Sequence, residues 1–128
     1  MNEQQVMDFL DDYAHVLSHA DARAMSTRWH VPALVLGGGR SIVVGSASET
    51  EQFFARSFAQ YHESGICTAI PTAPRFTFLS DSAAAVGVHW VHQDGDGNTV
   101  GAEDAFYVLA QDPESGDITV VFYTPVEA

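Results

Sequence analysis

Apolar side chains at Val6, Phe9, Leu10, Tyr13, Leu17 and Ala20 recur at steps of three and four, which predicts a helix with those residues on one face. Asp8, Asp11, Asp12 and His15 occupy its other face. Asn2, with Gln5 three residues on, reads as a capping box. A second short helix is predicted from Asp21 to about Trp29, and Pro32 ends helical character. Two β-type runs follow at 31–36 and 41–44. Gly37-Gly38-Gly39-Arg40 joins them as a hairpin turn. A third helix, capped by Ser46 or Ser48, presents Phe54, Phe58 and Tyr61 with Phe53 beside them and stops at Gly65.

The remainder reads as sheet: residues 66–79, 83–93, 99–110 and 118–124. Asp94-Gly95-Asp96-Gly97-Asn98 and Asp112-Pro113-Glu114-Ser115-Gly116 supply turns. Pro71 and Pro74 suit an edge strand or a bulge. Helices first and an antiparallel meander afterwards give an α+β fold over residues 1–128, a single domain with no repeat or linker. The late strands are apolar at both parities: Val86, Val88 and Trp90 alternate with Gly87, His89 and Val91, and Phe106 and Val108 with Tyr107 and Leu109. A sheet with one wet face alternates apolar with polar, so both faces are expected to be covered. Helices cover one. A second copy of the chain is the expected cover for the other, giving a homodimer through the outer sheet face.

Composition narrows the chemistry. Seventeen acids stand against five basic residues, all arginine, for a formal net charge of −12. With no lysine, Schiff-base chemistry, lysine-bound pyridoxal phosphate and the P-loop lysine are excluded. The charge repels nucleic acid and anionic lipid, so neither is expected as a partner. Arginine to the exclusion of lysine, with abundant alanine, suggests a GC-rich bacterial source. The N-terminus has no positive n-region and no apolar run would span a bilayer, so no signal peptide and no membrane segment are expected. The single cysteine, Cys67, fits a reducing cytoplasm and is expected as an inert core residue.

The order helix, helix, hairpin, helix, four long strands resembles the NTF2-like superfamily, with "FLDDYAHVLSHADARAMSTRW" in front and "GAEDAFYVLAQDPESGDITVVFYTP" behind. That superfamily includes ketosteroid isomerase, scytalone dehydratase, limonene epoxide hydrolase and SnoaL-like polyketide cyclases. The resemblance implies three helices packed on a strongly curved antiparallel sheet, a cone with an apolar pocket, as in cystatin-like folds. Fold alone does not settle activity. Against the steroid-isomerase pattern, Tyr13 stands where that pattern has its first-helix tyrosine and Asp104 where it has a carboxylic acid on the penultimate strand. The position of the general base falls on about Gly37, which cannot abstract a proton. By this comparison Asp104 faces the cavity together with Ala102, Phe106 and Val108. Ala85, Gly87, His89, Val91, Val121 and Tyr123 then face it too.

On this reading His89 replaces the missing base, and Tyr13 and Asp104 stabilise a developing oxyanion. The bland alternative leaves Asp104 exposed or paired with an arginine at a strand end and His89 in the dimer interface. His30 is a rival base. Trp29, Phe54, Phe58, Phe106 and Tyr123 are candidate pocket walls, or plain core. No cofactor and no metal are expected. His15 and His19 are spaced i, i+4 but lack a third ligand. His89 and His92, three apart on a strand, point to opposite faces. Asp94 to Asn98 echoes a calcium loop but lacks its glutamate and flanking helices. The expected function is a pocket for a small hydrophobic, oxygenated molecule. Its chemistry, if any, is cofactor-free proton transfer: isomerisation, dehydration, cyclisation or hydrolysis. The alternative is a non-catalytic binding or association domain.

Overall fold

In the computed structural model, which describes residues 1–126, helix α1 runs Glu3–Ser18 behind the cap the sequence predicts. The Asn2 side chain accepts the Gln5 N–H and the Gln5 side chain accepts the Asn2 N–H, both at 2.9 Å. Val6, Leu10, Tyr13, Val16 and Leu17 form its buried stripe. Asp21 caps α2 (Ala22–Ser26), which ends earlier than predicted because Trp29 already begins strand β1 (Trp29–Gly37). Strand β2 (Arg40–Val44) returns across the glycine turn. Ser46 caps α3 (Ala47–Glu63), and Glu49 reaches back to the Gly45 N–H at 2.6 Å. Gly65, at φ 73°, closes that helix: Ile66 N–H donates to the Tyr61 carbonyl and Gly65 N–H to His62.

Strands β3 (Thr68–Ser80), β4 (Ala83–Gln93), β5 (Thr99–Gln111) and β6 (Ile118–Val126) complete a six-stranded sheet in the order β2-β1-β6-β5-β4-β3. It is curved and unclosed, and with the helices it makes the expected α+β cone. The sheet is not wholly antiparallel, however: β6 lies beside β1 and runs parallel to it. Turn chemistry specifies only neighbours in sequence, and this pairing joins the first strand to the last through everything between them. β3 is one of the two edge strands, with β2 the other, and its register shifts between Thr72 and Arg75, around Ala73 and Pro74. Cys67 precedes β3 and is exposed, not in the core as expected.

The larger correction concerns which strand faces look inward. Ala84, Val86, Val88, Trp90 and His92 of β4 are buried, as are Ala105, Tyr107 and Leu109 of β5. Asp104, Phe106, Val108, Ala85, Gly87, His89 and Val91 therefore face outward, opposite to the expectation. Both parities of these strands are apolar, so the pattern left the orientation to a single anchor, and a shift of one residue inverts the whole set. In β6 the register shifts opposite Val108 and Leu109, so that Val120 pairs with Leu109 and Tyr123 with Tyr107. That irregularity puts Val120 and Tyr123 on the inner side, with Val121 skipped between them.

Candidate functional site

The inner side of the cone is an aromatic chamber. α1 contributes Tyr13 and Leu17, the start of β1 Trp29, and α3 Phe53, Phe54, Ser57, Phe58 and Tyr61. The sheet contributes Trp90, Glu103, Tyr107 and Tyr123. All four tyrosines and both tryptophans of the chain thus line one cavity. It is small: the centre of a water-sized sphere can occupy about 50 Å³ of it, room for a few waters.

Two parallel hydrogen bonds organise its floor. Trp29 Nε1–H donates to the Tyr13 hydroxyl at 3.1 Å, and Trp90 Nε1–H donates to the Tyr107 hydroxyl at 3.0 Å. The Tyr13 and Tyr107 rings meet edge to face with centroids 5.7 Å apart. Each phenol oxygen accepts from an indole through one lone pair. Burial pushes both phenols well above the ordinary tyrosine range, so they remain O–H donors. Tyr61 and Tyr123 are raised too, first by burial and then by the negative charge of Glu103.

Glu103 is the one ionisable carboxylate among the lining residues, and it is half-buried. It stands opposite Trp90 in the β4–β5 register, and the Tyr61 hydroxyl reaches its Oε1 at 3.4 Å. No described arginine pairs with it; the Arg28 guanidinium instead holds Asp12, at 2.9 Å, and lowers that carboxyl below its usual range. His92 stacks near Tyr61, with ring centroids 5.1 Å apart, and its buried Nε2 has no partner. Burial pulls its pKa below the ordinary histidine value, against the opposing pull of Glu103.

Of the sequence-derived site residues, Tyr13, Trp29, Phe54, Phe58 and Tyr123 line the chamber. His89 and Asp104 do not. They bond to each other across the outer face, Nδ1 to Oδ1 at 2.6 Å, with side chains 45% and 57% exposed. Tyr13 therefore cannot converge with them on one ligand. Phe106 shares their face, and His30 is exposed, its ring bonded to the Pro32 carbonyl at 2.8 Å. The sequence reading missed Glu103, Trp90, Tyr107 and His92. The bulk of Trp90 and Tyr107 was the available signal: putting those two rings inside puts Glu103 inside with them. Among the described residues no group of three or more His, Cys, Asp or Glu side chains could hold a metal ion. The Asp94 loop is a turn, with Asp94 Oδ1 accepting the Asp96 and Asn98 N–H groups. No helix among the described residues is long and apolar enough to cross a membrane.

A family model described as NTF2-like protein (DUF6841) matches residues 2–126. The chain belongs to this NTF2-like family. Solved structures agree on the fold. An NTF-2 like protein of unknown function from Shewanella oneidensis is 12% identical, with 99% of this chain and 100% of that one covered and a TM-score of 0.76. Aln2 from a Streptomyces species is 11% identical over 98% and 91% of the two chains, at 0.76. A protein from Catenulispora acidiphila, solved in complex with S-DNPA, is 14% identical over 94% and 90%, at 0.66. A search of curated proteins returns no match.

The depressed His92 pKa has a signed consequence. The unfolded imidazole binds a proton more readily than the folded one, so stability from this group is present above the ordinary histidine pKa of about 6.5 and declines as pH falls below it. Thermal melts between pH 8 and pH 5 should show a downward contribution in the wild type that His92→Leu lacks. Parallel pH profiles for the two proteins would contradict it.

Proposed function

We propose that the cone is a binding pocket for a small, mostly apolar molecule bearing an oxygen, and that its chemistry is cofactor-free proton transfer with Glu103 as the base. The observation that carries this reading is the lone carboxylate facing a chamber built from every tyrosine and tryptophan of the chain. A ligand carbonyl directed at the floor would accept from the Tyr13 and Tyr107 hydroxyls, already oriented by their indole partners. Glu103 would then take a proton from the carbon beside that carbonyl. Returning it to a different carbon is isomerisation; passing it to a departing hydroxyl is dehydration. The apolar walls keep competing water out. His89 and Asp104 have no part in this, since they lie on the opposite side of the sheet.

The second reading, a non-catalytic ligand-binding domain, is favoured by the small volume of the chamber. Exchange of the α-protons of cyclopentanone in heavy water, followed by proton NMR, separates the two. The wild type should accelerate exchange over buffer. Glu103→Gln should remove about 100-fold or more of that acceleration, a typical general-base contribution. Asp104→Asn and His89→Ala should leave it unchanged. Wild-type exchange at the buffer rate, or full activity in Glu103→Gln, would favour the binding domain.

We also propose that a second copy of the chain covers the outer face of the sheet. Of the seventeen acids, only Asp104 occupies an outward position on β3 to β6, and Arg75 and His89 share that face with it. A surface otherwise so acidic would repel its twin, and this face would not. Leu34, Val91, Phe106, Val108, Phe122 and Val126 supply apolar contact there. Six strands at about 4.8 Å spacing and lengths of tens of ångströms offer on the order of 800 Å², the footprint of a standard stable interface. Sedimentation equilibrium at micromolar concentration should give a dimer for the wild type and a monomer for Val108→Arg. A monomeric wild type would exclude this interface.

A further inference from the structure

Glu103 presents an unbalanced charge. The residue is half-buried, and Tyr61 is its one hydrogen-bond donor among the described residues. No described salt bridge includes it. His92, which feels the charge of Glu103, is held by burial toward its neutral form. A carboxylate that lines a cavity with no cationic partner leaves its negative charge available to a ligand of opposite sign. The rest of the chamber offers aromatic faces, which carry negative potential at the ring centre and attract cations. A carboxylate that lines a cavity together with indole, phenol and phenyl rings is a set that recognises an ammonium ion.

Resting on the reading of the cone as a ligand-binding site in which Glu103 serves as counter-ion and not as base, we propose that its ligand is a small organic cation, a compact substituted ammonium whose positive nitrogen lies against Glu103 and the aromatic rings. The ligand thereby supplies the charge that Glu103 lacks. The net charge of −12 draws such cations toward the protein and turns small anions away. The restricted volume favours a single compact head group over an extended chain. An oxygen elsewhere on the same molecule would accept from a phenol of the lining, so the chamber reads a cation and an acceptor together. Choline carries both groups. Its uncharged carbon isostere, 3,3-dimethyl-1-butanol, has nearly the same shape and keeps the hydroxyl.

The test titrates both compounds while following tryptophan fluorescence, since Trp29 and Trp90 both line the chamber and no other tryptophan dilutes the signal. In the wild type choline should bind about tenfold or more tightly than the isostere, in the range expected for a desolvated cation–π site with a carboxylate. Glu103→Gln should bring the two affinities to within about twofold. Equal or tighter binding of the isostere to the wild type would overturn the cation assignment while leaving the pocket reading intact. A preference for choline that survives in Glu103→Gln would overturn the role of Glu103. No fluorescence response to either compound would count against both the cation and the pocket itself.

Discussion

The facing of β4 against β5 governs the rest of this molecule. Trp90 stands opposite Glu103, Val88 opposite Ala105, Val86 opposite Tyr107 and Ala84 opposite Leu109. A sheet has only two faces, so choosing these pairs for the interior sends His89, Asp104, Phe106 and Val108 to the outside in one step. The interior set contains the largest rings of the two strands and one carboxylate. The exterior set contains shorter apolar side chains, Phe106 and a hydrogen-bonded His–Asp pair. Each side of the sheet thereby acquires a distinct chemistry from one choice of register.

That choice explains why the helices needed little more than their own sequence while the site needed tertiary structure. Capping residues Asn2, Asp21 and Ser46 and the stop at Gly65 act within a few residues, and each is found in its expected role. The first-helix periodicity that buried Tyr13 also put its hydroxyl within hydrogen-bond reach of the Trp29 indole. The strands carry no such local instruction. Val and Ala occupy both parities of β4 and β5, and Phe106 and Tyr107 fall on opposite ones, so hydrophobicity could not say whether Glu103 or its neighbour Asp104 turned inward. The parallel pairing of β1 with β6 was equally hidden, since it depends on where the final strand docks and on no turn signal.

Within the chamber, burial and hydrogen bonding work in the same direction. The indole of Trp29 fixes Tyr13, the indole of Trp90 fixes Tyr107, and desolvation keeps both phenols protonated. A polar floor of that kind is built from aromatic residues that also fill the core, so stability and recognition draw on the same side chains. Glu103 is the exception. It adds a charge to the lining of the chamber, beside the Tyr61 hydroxyl. Its presence turns an aromatic core into a candidate chemical site.

The most direct check is where the Glu103 and Asp104 side chains lie in solution. In a NOESY spectrum of the labelled protein, the Glu103 methylene protons should show cross-peaks to the Tyr61 ring, and the Asp104 methylene protons should show cross-peaks to the His89 ring and none to Tyr61. Cross-peaks from Asp104 to the chamber tyrosines, with Glu103 beside outward-facing residues, would invert the sheet and remove the site described here.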